Sequence, residues 1–233
     1  MIELAAGFDE YASVFEAESL FTGPSLYFHH KTLAIRAEHG GSIERCLRDR
    51  DFLESLYATL TAWGLHRMGP GNTKLVEFPL FTASLAQTIE KLKGLEGMRI
   101  DRLGPREFAR TVEILWDAIC GVHIGIGATK LVAGTKALHP LLPDLVPPID
   151  REYTVRFFLE NKGAIQGDEV KQGNAFRFMY SHFAAICHNK QYGIEARMGT
   201  GMNTSRTKVV DNAIVGYCRK ILKVKADSSE TES

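Results

Sequence analysis

The chain has 233 residues, 45% apolar and 24% charged, with 28 Lys+Arg balancing 28 Asp+Glu. That is the profile of an ordinary water-compatible globule, long enough to bury a substantial core. No apolar run approaches the roughly 20 residues that a membrane span requires.

The N-terminus, MIELAAGFDEYASVFEAE, is acidic where a signal peptide would be basic and then apolar, so a cytoplasmic location is expected. Charge is unevenly spread. Residues 1–60 hold 5 Lys/Arg and 10 Asp/Glu, a balance of −5, whereas residues 190–225 hold 8 Lys/Arg against Glu195 and Asp211, a balance of +6. The basic segment, with Arg206 and Lys208 at its centre, reads either as a solvated helix face or as a surface that contacts phosphate. Cys46, Cys120, Cys187 and Cys218 are scattered without a CxxC pair, which implies neither zinc nor disulfides and suits reduced thiols.

In chain order, helical spacing dominates. DFLESLYATLTAWG (51–64) lines up Leu53, Leu56, Leu60 and Trp63 and stops at Gly64. TKLVEFPLF (73–81) is the best strand candidate, limited to a short piece by Pro79. TASLAQTIEKLKG (82–94) predicts a helix on Leu85, Ile89 and Leu92. PREFARTVEILWDAICG (105–121) places Pro105 in the first turn, spaces Phe108, Val112, Leu115 and Ile119, and ends at Gly121. A Gly125-Ile126-Gly127 turn precedes a helix from Ala128 to His139. NAFRFMYSHFAAICHN (174–189) spaces Phe176, Met179, Phe183 and Ile186. A last helix carries Val210, Ala213, Tyr217 and Ile221 behind a Thr204/Ser205 cap. The expected fold is all-α, a bundle-like domain over residues 1–225 with lobes 1–100 and 101–225 and a cleft between them. A disordered tail is expected at 226–233.

The least ordinary stretch is GTKALHPLLPDLVPPIDREY (134–153), which spends four of the eight prolines between Lys136 and an acid, Asp150, that opens a helix. Glycines with no side chain in front of their amides, followed by a helix start, offer a phosphate contact at Gly125 and Gly127, although an ordinary interhelical turn is the plainer reading. An acid at such a position is an N-cap in its plainest reading.

The combination of a Gly-hydrophobic-Gly hairpin, lysines on the next helix, and a proline-rich passage delivering an Asp to a helix start resembles the helix-hairpin-helix DNA glycosylases. The layout is nearest to the 8-oxoguanine glycosylases, including the archaeal type, and covers about residues 110–160. Within that superfamily the chain also resembles a bacterial phage-defence type that removes glucosylated hydroxymethylcytosine from T-even phage DNA. The resemblance implies that Gly125 and Gly127 meet the DNA backbone and that Asp150 is catalytic; Lys130 and, from the basic segment, Arg206 and Lys208 are further candidate contacts to DNA. Lys136 or Lys130 becomes the candidate amine nucleophile. Lys130 lies three residues after the second glycine where the bifunctional family has its lysine two after, and Lys136 lies further on. The implied partner is double-stranded DNA with one nucleotide flipped out. No cofactor, no metal, no membrane and no obligate protein partner is implied.

Glycosidic cleavage passes through an oxocarbenium-like sugar, which an ionised carboxylate stabilises while orienting water. A flipped base also needs a stacking pocket with polar edges. The candidates are Trp63, His66 and Arg67 in AWGLHRMGPGNTK, and Phe28 and His29 in GPSLYFHHK. Core aromatics account for the same residues. No HExxH, facial-triad or GxxxxGK[ST] spacing is present. The alternative to an enzyme is a helical module that binds DNA or protein without chemistry at Asp150.

Overall fold

A computed structural model describes residues 4, 6–65, 75–125, 129–189 and 193–223. The described residues form twelve helices and no strand, so the protein is all-α. The helices are α1 (Phe8–Glu18), α2 (Pro24–Glu38), α3 (Ile43–Arg48), α4 (Arg50–Leu60), α5 (Phe78–Ala86), α6 (Ile89–Leu92), α7 (Pro105–Gly121), α8 (Lys130–Leu138), α9 (Arg156–Leu159), α10 (Glu169–His188), α11 (Ile194–Arg197) and α12 (Arg206–Lys220). Two π-helical turns, Thr61–Leu65 and Arg151–Val155, extend α4 and precede α9.

Two sequence expectations are corrected. In the described part of the strand candidate 73–81, Leu75 makes an isolated bridge to Gly125, the Val76 amide bonds to the Ile124 carbonyl (3.1 Å), and Phe78 onward is α5. Pro79 sits in the first turn of that helix, where its fixed φ fits and its missing N–H costs nothing. The helix expected over 82–94 is interrupted. The Thr88 amide and hydroxyl both bond to the Leu85 carbonyl (2.9 and 2.7 Å), closing a turn between α5 and α6. The tail 226–233 lies outside the described residues.

One hydrophobic cluster runs from Leu4 to Cys218 and takes in residues on both sides of position 100. Two glycines set helix spacing within it. A Cβ on Gly216 would lie 1.9 Å from the Tyr11 carbonyl oxygen, so α12 and α1 meet backbone to backbone. A Cβ on Gly134 would lie 2.8 Å from Ile119 Cγ2, which fixes how closely α8 approaches α7.

The charge imbalance along the chain resolves in this packing. The acidic first helix lies against the basic C-terminal segment. Arg197 pairs with Asp9 (3.2 Å) and Glu16 (2.9 Å), Arg219 with Glu18 (2.6 Å), and Lys220 with Glu10. The aromatic edge of Tyr11 meets Tyr217 between them, with ring centroids 5.0 Å apart.

Candidate active site

Lys136 lies on the last turns of α8, and the chain must return to bring Asp150 beside it. The thirteen intervening positions finish the helix and then form tight turns, with Leu142 N–H bonded to the Leu138 carbonyl and Val146 N–H to the Leu142 carbonyl (2.8 Å). Neighbouring elements pin each carbonyl that faces them. Arg36 Nε donates to the Leu141 oxygen (2.9 Å), Thr207 Oγ1 to the Pro143 oxygen (2.6 Å), and His139 Nδ1 to the Val146 oxygen (2.7 Å). Leu141, Leu142, Leu145, Val146 and Ile149 are buried. Prolines lower the conformational freedom that such a return must give up. Asp144, the acid of LPDL, accepts the Arg206 amide (3.0 Å) and so helps cap α12.

The passage ends with Asp150 as the N-cap of the Arg151–Val155 turn. Its Oδ1 accepts the amides of Glu152 (2.7 Å) and Tyr153 (3.1 Å), and its Oδ2 accepts from Lys136 Nζ at 3.0 Å. Burial alone would raise the Asp150 pKa. The Lys136 charge and hydrogen bond, together with the two amides, outweigh burial and hold the carboxyl below its ordinary value. The Lys136 side chain is 10% exposed and that of Asp150 29%, so the carboxylate retains an open side. Lys136 also reaches the Trp63 carbonyl (3.4 Å).

A second buried pair backs the first. Thr154 Oγ1 accepts the Asp150 amide (3.2 Å) and donates to Asp211 Oδ1 (3.0 Å), while Asp211 Oδ2 accepts from Lys208 Nζ (2.6 Å). The Lys208 ammonium lies 5.6 Å from the ring centres of both Phe21 and Trp63.

The structure sorts the residues singled out from the sequence. Asp150, Lys136 and Trp63 meet, and His29 packs on Trp63 with centroids 5.1 Å apart. Phe28 faces away, lining an apolar groove with Pro24, Tyr57 and Phe78 that includes neither Lys136 nor Asp150. Lys130 sits at the opposite end of α8, six residues or about 9 Å along the axis from Lys136. Its amide and that of Leu131 both donate to Gln172 Oε1 (2.8 and 3.2 Å), so a buried side chain occupies the donors at this helix start. Gly125 bridges to Leu75. Gly127, His66 and Arg67 lie outside the described residues.

Arg206 and Lys208 depart from the solvent-facing role considered for them. They are only 7% and 5% exposed, and they pair with Glu195 and Asp211. The N-cap of α12 is Ser205, accepting from the Lys208 amide at 3.2 Å, while the neighbouring Thr204 hydroxyl bonds to His29.

Sequence reasoning missed Thr154, Asp211 and His139, whose roles come from contacts between distant segments, and Arg151, which is exposed beside Asp150. The Asp-Arg dipeptide at a helix start was the available signal for Arg151. Among the described residues no group of three or more His, Cys, Asp or Glu is arranged to hold a metal, and no helix is long and apolar enough to cross a membrane. Comparison of the chain with protein-family models, with curated proteins and with solved structures finds no match.

Proposed function

We propose that this chain is a DNA glycosylase that accepts a nucleotide turned out of the duplex and cleaves its N-glycosidic bond. The observation that carries the reading is the Lys136–Asp150 pair: an amine 3.0 Å from a carboxylate held anionic, on a helix start that is partly open to solvent. Glucosylated hydroxymethylcytosine of T-even phage DNA is the proposed target, which would make the activity a defence against phage.

The chemistry asks little beyond these groups. As the bond to the base lengthens, positive charge grows on the sugar, and a fixed carboxylate stabilises it. Two amides and Lys136 already orient Asp150, so little reorganisation is needed as the charge develops. Two routes then diverge. Water oriented by Asp150 adds to C1′ and leaves an abasic site. Alternatively a proton passes from Lys136 through Asp150 to the departing base, the free amine adds to C1′ as the N-glycosidic bond breaks, and opening of the sugar ring gives a covalent imine. In this reading Arg151, exposed next to Asp150, meets a backbone phosphate flanking the flipped nucleotide.

The non-catalytic reading drew on the hairpin amides and the basic 190–225 segment. Gln172 occupies the Lys130 and Leu131 amides at the helix start that follows the hairpin, and Arg197, Arg206, Lys208, Arg219 and Lys220 are in ion pairs. Both readings lose these phosphate contacts, and the catalytic one is preferred because it gives the buried Lys136–Asp150 pair a role that the binding module does not.

The test is to incubate the protein with modified phage DNA and with plain DNA, then to treat each with alkali. Strand breaks in the modified DNA with wild type, and none with Asp150→Asn, are expected. Borohydride trapping of a protein–DNA adduct, lost in Lys136→Gln, assigns the amine route. Trapping that fails with wild type assigns the water route. An absence of breaks with wild type on any modified or damaged substrate rejects the enzyme.

A further inference from the structure

Beside the Lys136–Asp150 pair lies a cluster of three rings that the proposed chemistry does not use. His29 stacks on His139 with centroids 5.9 Å apart and planes 15° apart, and Trp63 packs on both, at 5.1 Å and 6.3 Å. Both histidines are completely buried. Each of the three rings nevertheless holds a nitrogen with no hydrogen-bond partner among the described residues: His29 Nδ1, His139 Nε2 and Trp63 Nε1. Burying a nitrogen without a partner is costly, which is why a native fold rarely gathers three together without something to occupy them.

Their hydrogen-bonding character can be derived. The His139 Nδ1 faces the Val146 carbonyl at 2.7 Å, and a carbonyl only accepts, so Nδ1 carries the proton. His139 Nε2 is then a bare lone pair that requires a donor. Trp63 Nε1 is a donor only and requires an acceptor. Burial pushes the His139 pKa down to about 3 and the His29 pKa to about 2, so both rings are neutral at physiological pH. Lys208 stands over the Trp63 ring, 5.6 Å from its centre, which disfavours a cationic guest.

From this geometry we infer that His139 and Trp63 read the edge of a neutral heterocycle that presents a hydrogen-bond donor beside an acceptor, as an amino-substituted nucleobase of the cytosine or adenine class does. The inference rests on the glycosylase reading for its location, because Trp63 offers its carbonyl to Lys136 while its ring faces the histidines. The guest's ring nitrogen accepts from Trp63 Nε1 and its amino group donates to His139 Nε2. His29, held by Thr204 at 2.8 Å, supplies the stacking floor beneath His139.

Entry requires Trp63 to move, and its backbone suits that. It occupies a π-helical turn in which Trp63 itself (φ −84, ψ 19) and Gly64 (φ 81, ψ 9) leave helical geometry. Gly64 sits at a positive φ that side-chain-bearing residues rarely adopt. In the structure Trp63 packs on the two histidines, and the guest takes over the bonds left unmade there.

The experiment uses the full chain and free bases, followed by ligand-observed NMR titration. Adenine, with its amino donor, is expected to bind about ten-fold more tightly than purine, which lacks only that group. His139→Phe keeps the ring and removes the lone pair, so the adenine-over-purine preference is expected to vanish. Trp63→Phe removes the donor and is expected to weaken adenine binding about ten-fold, which keeps the test decisive should His139→Phe fail to fold. Equal binding of adenine and purine by wild type, no binding of either, or a preference retained in His139→Phe overturns the inference. Base release by wild type is scored separately. Preference without release keeps this site and removes the glycosylase reading, whereas release without preference removes this site alone.

Discussion

Helices α7 and α12 are of similar length and carry similar numbers of charges, yet they solve opposite problems. In α7 the apolar stripe of Val112, Leu115 and Ile119 is buried, while Arg106, Glu107, Arg110, Glu113 and Asp117 face solvent. In α12 every residue from Arg206 to Cys218 is buried, including Arg206, Lys208, Asp211 and Asn212. Charge on a surface helix marks the face that water solvates. Charge on a central helix marks a pair, because an ion removed from water must find its opposite within the fold. The two helices therefore make different demands on their neighbours, and substitutions along them differ in consequence.

The largest difference is expected at Gly216. Its Cβ would enter the Tyr11 carbonyl, a backbone atom with no rotamer to yield. Gly216→Ala is expected to cost more than about 4 kcal/mol, enough to abolish cooperative folding as read by thermal melting. A mild change there would show that α1 and α12 are further apart than the fold requires.

Asp211 comes next. Asp211→Ala strands Lys208 in the interior and leaves Thr154 without its acceptor, so a loss of about 3–5 kcal/mol is expected in chemical denaturation. Replacing the pair together, Lys208→Met with Asp211→Leu, is expected to recover most of that loss. If the double variant falls as far as the single one, the pair's role is not the mutual neutralisation argued here.

Acid sharpens the comparison further. An unfolded histidine protonates near its ordinary value of about 6.5, whereas His29 and His139 in the fold resist protonation to about 2 and about 3, chiefly because burial disfavours the charged ring. Folded pKa values below the unfolded ones mean that the unfolded chain binds more protons below about pH 6.5. Stability is therefore present above that pH and falls as acid is added, by on the order of 1 kcal/mol per pH unit for each histidine. Denaturation midpoints at about pH 7 and about pH 5 measure the slope, and His139→Leu is expected to remove about half of the histidine part of it. A slope unchanged by that substitution would place His139 in contact with water.

The smallest effect is expected on α7. Glu113 pairs with Arg177 at 2.7 Å, but both side chains are substantially exposed. Glu113→Gln is expected to change stability by less than about 1 kcal/mol. A loss comparable to that of Asp211→Ala would erase the distinction between the two helices.

The same distinction explains what could be read from the sequence. The span of α7 and the capping role of Asp150 were legible, because periodicity, Pro105 and the proline-rich approach are local signals. The cap on α12 was legible at Ser205. The basic balance of 190–225 was legible as well, but its partners were not. Asp9 and Glu16 reach Arg197 from nearly 190 positions away, and no local pattern records that they would. Lys136 is buried for the same kind of reason: the acid that makes its burial tolerable lies fourteen positions further along the chain. Thr154, Asp211 and His139 are ordinary residues in sequence, and they acquire a role only when α8, α12 and the Arg151 turn meet.

The most direct test of the central claim is mass spectrometry of the material released from T-even phage DNA carrying glucosylated hydroxymethylcytosine. Wild type is expected to release the modified base, and Asp150→Asn, with its melting transition confirmed, is expected to release none. Release of no base by the wild-type chain, or equal release by the Asn variant, contradicts a carboxylate at position 150 that stabilises the sugar as the base departs.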